Sequence, residues 1–144
     1  MEIRPVDDLE IKTVSLLWEE MQKELHESSQ CKVNWWMVEI RGLLGSNDFD
    51  MFVFDEDGQV VGFFDILWIL NAMENRFEAH IRYIYLKPEY RGNGTIKSSL
   101  EFVKKLMKKR GATHLIGYSE DNKLAMWQAH GFKPFAHIFE MEIE

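Results

Sequence analysis

The sequence predicts an α/β (mixed α+β) domain, in which a mixed, mostly antiparallel sheet carries helices on both faces. Three observations predict it. Apolar-rich runs at 50–54, 59–70 and 76–86, separated by turn residues, read as a meander of neighbouring strands. Ile96, Leu100, Val103 and Met107 then step by four, three and four, which is the spacing of one helix face. A short strand at 113–119 follows that helix, and a strand-helix-strand crossover requires a parallel pair, here 77–86 beside 113–118.

Taken in order, "EIRPV" is a short opening strand, and Asp7 or Asp8 caps the first helix. Leu9, Val14, Leu17, Trp18, Met21 and Leu25 fall at helical spacing, carrying that helix to about His26. "ESSQCK" breaks it. Asn34 is the expected cap of a second helix that runs through Leu44 and stops at Gly45. Asp57-Gly58 between two apolar runs is a hairpin signal, and "LNAMEN" is a second turn. "RFEAHIRYIYL" reads as one long strand, stopped by Pro88. The amphipathic helix spans Thr95 to Arg110, with Gly111 just past its end. A short helix over "DNKLAMWQAH" stops at Gly131, and "FKPFAHIFEMEI" is the expected last strand.

With 144 residues the chain makes one domain, 1–144. Its net charge of −7 argues against a nucleic-acid partner, although Lys97, Lys104, Lys105, Lys108, Lys109 and Arg110 cluster locally. No apolar run approaches the roughly 20 residues that span a bilayer, and the acidic start does not resemble a signal peptide. A single cysteine, Cys31, leaves no internal disulfide and fits a cytoplasmic protein. The five histidines form no paired zinc motif, so no metal is expected. A monomer or a homodimer is compatible with all of this.

"PEYRGNGTIKSSL" carries the chemistry. A nucleoside-triphosphate loop needs G-x-x-x-x-G-K-[ST], but Arg91 stands at its first glycine and Ile96 at its second. A dinucleotide fingerprint counted from Gly92 meets Lys97 at its third glycine. Both fail. What remains is a glycine turn entering a helix N-terminus, whose unpaired N–H groups suit a pyrophosphate. A strand-to-helix turn that uses glycine only for its geometry is the other reading.

"IYLKPEYRGNG" resembles the acetyl-CoA loop of the GNAT superfamily of N-acetyltransferases, matching at Leu86, Pro88, Tyr90, Arg91, Gly92 and Gly94. "EIRPV" is similar to that family's first strand and "HGFKPF" to its G-F boundary, and the element order agrees over nearly the whole chain. Glu89 and Ile96 depart from the compact Q/R-x-x-G-x-G/A motif. The resemblance implies transfer of an acetyl group from acetyl-CoA to a primary amine, on a small molecule or a peptide, by direct attack in a ternary complex. A non-catalytic acyl-CoA-binding or protein-interaction module is the alternative.

It further implies site residues. The pantetheine arm would run along Ile84, Tyr85 and Leu86, with the Leu86 N–H facing the thioester carbonyl. Arg91, Gly92, Asn93, Gly94, Thr95 and Ile96 would hold the pyrophosphate, and Asn122 would also contact the cofactor. Many members carry a Glu six residues before the position of Leu86; here it is His80, which can take the amine proton or simply pack in the sheet. Glu78 is the next candidate base. Trp127 stands where the family often has a tyrosine acid, so the thiol would leave as thiolate, or Tyr118 would substitute. Trp35 and Trp36 would wall the acceptor pocket.

Overall fold

The computed structural model describes residues 1–25, 33–119, 123–136 and 138–143. It has strands β1 (Glu2–Pro5), β2 (Phe49–Glu56), β3 (Gln59–Asn71), β4 (Arg76–Ile81), β5 (Ile84–Leu86) and β6 (His114–Gly117). The helices are α1 (Ile11–Leu25), α2 (Val33–Leu44), α3 (Thr95–Arg110) and α4 (Leu124–Ala129). The sheet order is β1-β2-β3-β4-β6, with β5 also pairing β3. All pairs are antiparallel except β4 with β6, the crossover pair that the sequence predicts.

Local chemistry fixes most elements. Asp7 caps the turn before α1, accepting from Leu9 N–H, while Glu10 reaches back to the Asp7 N–H. Arg4 of β1 donates to both Glu10 and Asp55, tying the opening strand to α1 and β2. The β2–β3 hairpin turns at Asp57 and Gly58, both at positive φ, as a tight hairpin requires. α3 keeps its predicted bounds, ending at Gly111 in the left-handed region. α2 begins at Val33, so Asn34 lies inside the helix rather than capping it.

Two apolar clusters hold the layers together. Beneath α1 and α2, Val14, Trp18, Met21, Trp36 and Ile40 pack on Met51, Val53, Phe63 and Tyr85. Beneath α3, Val103 and Met107 pack on Phe52, Phe54, Phe64, Ile66, Ala79 and Ile81. The helices therefore lie on both faces. Trp36 stacks on Trp18 at 5.7 Å and meets Phe63 edge-on at 6.2 Å, which makes it a core ring.

Two further expectations change. The run 76–86 is not one strand: it breaks at Arg82 and Tyr83, leaving β4 to pair with β3 and β6, and β5 to pair with β3 alone. The cause is Asp65 in the middle of β3. Its carboxylate accepts from the Arg82 backbone N–H at 3.2 Å and from the Arg82 guanidinium at 3.3 Å, and its N–H donates to the Tyr83 carbonyl. The other change is the last strand. Among the described residues of 133–143 no strand pairing occurs, and the edge of β6 away from β4 carries no strand.

Candidate functional site

The parallel pairing of β4 with β6 runs from Glu78–His114 to Ile81–Gly117 and stops there. β5 continues along β3 while β6 does not follow it, so a cleft opens beyond Ile81 and Gly117. Three kinds of group face that opening: backbone N–H groups of β5, the glycine loop, and side chains from β4 and β6.

The backbone arrangement comes from antiparallel alternation. Asp65 N–H bonds Tyr83 O and Lys87 N–H bonds Val61 O, so residues 83, 85 and 87 turn their polar groups to β3. Ile84 and Leu86 turn theirs away, toward the cleft. Tyr85 therefore offers no backbone group there, and its ring is buried under α1 with its hydroxyl donating to Glu24 and Glu20. The outward Leu86 carbonyl accepts from Arg91 Nε at 2.7 Å, leaving its N–H free to the opening. Gly62, opposite Leu86, is needed for this geometry, because a Cβ there would collide with the Tyr85 carbonyl.

The loop enters α3 through Gly92 and Gly94, both at positive φ. Gly94 caps the helix with no side chain bonded to its first N–H groups, so the Thr95 and Ile96 donors point outward. Arg91 behaves otherwise than expected. Its N–H is used within the turn on Pro88 O, and its guanidinium spans Leu86 O and the Glu24 carboxylate of α1. It braces the loop rather than offering a backbone donor. A concavity of about 390 Å³ borders Tyr90, Asn93, Thr95 and Ser98, but on the α3 face, away from His80.

Glu78 and His80 lie on the α1–α2 face of β4, since Ala79 and Ile81 belong to the cluster beneath α3. His80 Nε2 meets Glu78 Oε1 at 2.8 Å and His80 Nδ1 meets the Tyr118 hydroxyl at 3.0 Å. The other Glu78 oxygen accepts from Arg76 Nε at 2.7 Å and from Asn71 Nδ2 at 3.1 Å. Burial pushes the Glu78 carboxyl up, but donors from His80, Arg76 and Asn71 outweigh it and hold it below the usual carboxylate range. An ionised Glu78 has no proton to give, so its oxygen accepts from His80 Nε2–H, while Nδ1 stands within hydrogen-bond distance of the tyrosine hydroxyl. Tyr118 is half exposed, one residue past the end of β6, where the strands part.

The geometry thus joins Glu78, His80 and Tyr118, turns the backbone groups of Ile84 and Leu86 away from β3, and leaves the first N–H groups of α3 without a side-chain cap at Gly94. It does not bring Trp36 to the cleft. Trp35 is exposed on α2. Trp127 packs edge-on against Phe132 at 5.5 Å, as a local anchor of α4. Asn122 lies outside the described residues. Sequence reasoning missed Asn71 and Arg76, which hold Glu78, and the Asp65–Arg82 pair, which ends β4. A lone carboxylate in the apolar run 59–70 was the available signal for the latter. Among the described residues no group of His, Cys, Asp and Glu is arranged to hold a metal ion, and no helix is long and apolar enough to cross a membrane.

The model of the acetyltransferase (GNAT) family matches residues 11–132. No curated protein sequence matches. Several solved structures share the fold. A possible acetyltransferase from Clostridium difficile 630 has a TM-score of 0.82 at 18% identity, over 99% of this chain and 97% of its own. A predicted acetyltransferase with acetyl-CoA from Clostridium acetobutylicum has a TM-score of 0.80 at 16% identity, over 98% and 95%. An aminoglycoside acetyltransferase from an uncultured soil metagenomic sample has a TM-score of 0.74 at 17% identity, over 99% and 98%.

Proposed function

The chain belongs to the GNAT family of acetyltransferases, and from that premise we propose that it transfers an acetyl group from acetyl-CoA to a primary amine, using Glu78, His80 and Tyr118 to carry the proton. The observation that carries this reading is the hydrogen-bonded chain from Glu78 through His80 to the exposed Tyr118 hydroxyl at the mouth of the cleft.

Acetyl-CoA fits the donors present. The uncapped start of α3, at Gly94, Thr95 and Ile96, suits the pyrophosphate. Its pantetheine arm would follow the outward groups of β5. Two N–H groups compete for the thioester carbonyl, and reach separates them. The parallel register ends at Ile81 and Gly117, one residue before Tyr118, and Ile84 lies nearer to that end along the chain than Leu86 does. Ile84 is the oxyanion donor in this reading, and Leu86 pairs with the arm. That moves the role from the residue the family resemblance suggests.

In the reaction the amine nitrogen attacks the thioester carbon and its proton passes to the Tyr118 oxygen. The phenolic proton moves to His80 Nδ1, and ionised Glu78 stabilises the resulting imidazolium. Collapse of the tetrahedral intermediate breaks the C–S bond, and the thiolate recovers a proton by the reverse path. Trp127 needs no part in this, so its departure from the family pattern is no obstacle.

The acceptor would be a small molecule or a peptide amine entering beside Trp35. The test is thiol release from acetyl-CoA over a panel of polyamines, amino acids, aminoglycosides and peptides. Amine-dependent release is expected. Tight acetyl-CoA binding with no release for any amine would favour a binding module instead.

A further inference from the structure

We propose that Arg76 is a positioning residue for proton transfer, holding Glu78 as a pure acceptor so that His80 keeps Nδ1 open toward Tyr118. The inference rests on the reaction proposed above. What carries it is the division between the two Glu78 oxygens. Oε1 meets His80 Nε2 at 2.8 Å, whereas Oε2 accepts from Arg76 Nε at 2.7 Å and from Asn71 Nδ2 at 3.1 Å. Asn71 and Arg76 face each other in register at the two ends of the β3–β4 turn, and Asn71 Oδ1 also accepts from the Glu74 N–H within it. The turn that joins the strands is thus built onto the far end of the relay.

A carboxylate only 2% exposed needs a compensating charge. Among the described residues, Arg76 is the one donor to Glu78 that is charged at every working pH. Phe135 lies over its guanidinium at 4.8 Å and its side chain is 17% exposed, so water screens the pair little. The other ionisable groups around Glu78 offer no substitute. His114, its register partner on β6, places Nδ1 2.8 Å from Thr113 Oγ1. Tyr118 is bonded to His80, and Arg82 is committed to Asp65 and Glu39.

Counting protons gives Arg76 its role. With Arg76 in place, ionised Glu78 accepts from Nε2–H, and an Nδ1 without hydrogen can receive the phenolic proton. Without that charge, the buried carboxylate draws one proton from solvent onto the pair. Bound to Glu78, that proton is donated to Nε2, and the ring's own hydrogen moves to Nδ1. Bound to His80, it occupies Nδ1 directly. In both cases Nδ1 carries hydrogen and Tyr118 has lost its acceptor.

The test is nitrogen NMR on the full chain with isotopically labelled histidine, a His80→Asn chain to assign the signals, and acetyl-transfer kinetics alongside. At mildly alkaline pH, above the ordinary histidine range, the wild type should show hydrogen on His80 Nε2 and none on Nδ1. Arg76→Met should place hydrogen on Nδ1 and lower kcat by ~10²-fold, the lower range for losing a general base, with acetyl-CoA affinity unchanged. Arg76→Lys, which keeps the charge, should recover much of both. Asn71→Asp keeps an acceptor for the Glu74 N–H but sets a second carboxylate beside Glu78, and should also put hydrogen on Nδ1. Hydrogen on Nδ1 in the wild type overturns the inference whatever the rates. So does an open Nδ1 in Arg76→Met or, where that chain does not fold, in Asn71→Asp. The expected NMR pattern with an unchanged kcat would instead overturn the proton path through His80.

Discussion

His80 and Asp65 occupy similar places, buried polar residues on neighbouring strands of one sheet face, yet their partners give them different work. His80 sits between an ionised carboxylate and an exposed phenol, the position of the proposed proton conduit. Asp65 is sealed against the break between β4 and β5, which makes it a staple. Burial pushes its carboxyl up to about 6, against the pull of Arg82. The folded chain therefore holds this proton between the ordinary carboxylate range and about 6, where the unfolded chain has lost it. By linkage its contribution to stability is largest below that window and falls as pH rises through about 6. Urea midpoints measured from pH 4 to 7 should show this decline in the wild type. Asp65→Asn should lack that component while losing the Arg82 ion pair. Identical pH slopes for the two chains would remove the assignment. Asp65 was visible in the sequence as a polar interruption, but its partner 17 residues away was not, because "HIRYIYL" alternates without a break. Tyr118 was nameable only as a neighbour; the register of β4 with β6 is what brings it to His80.

At the scale of elements, the proposed acetyl-CoA site is made by the β5 edge and the start of α3. Gly94→Asp should abolish acetyl-CoA binding in a calorimetric titration, because it places bulk and negative charge among the outward N–H groups, at a backbone angle that side chains rarely adopt. Undiminished binding would sink the loop assignment. Gly62→Ala should lower stability by about 1–3 kcal/mol or more in urea titration, since β5 must shift to admit the methyl group. A neutral effect would mean that β5 does not pack on β3 as closely as described. α3 and the hairpin at Asp57-Gly58 were legible because local signals define them: a helix face, a trailing glycine, a turn pair. The break in 76–86 and the unpaired segment after α4 were not, because each depends on what another part of the chain offers.

For the whole molecule, the parallel pair inside an antiparallel sheet is the feature that makes a site. It ends at Ile81 and Gly117, and the gap beyond it leaves the outward backbone donors of β5 without a neighbouring strand. The sequence carried this through the order of its elements. It did not carry the acceptor, because the α1–α2 face that would shape that pocket is recruited largely into the core, Trp36 included.

The central claim is that the proton leaves through Tyr118 to His80. Tyr118→Phe tests it most directly, since the residue is half exposed and its loss should leave the core intact. Acetyl-transfer kcat at saturating acetyl-CoA should fall by ~10²-fold or more, the lower range for losing a general base, with acetyl-CoA affinity unchanged. An unaltered kcat in this variant would contradict the account.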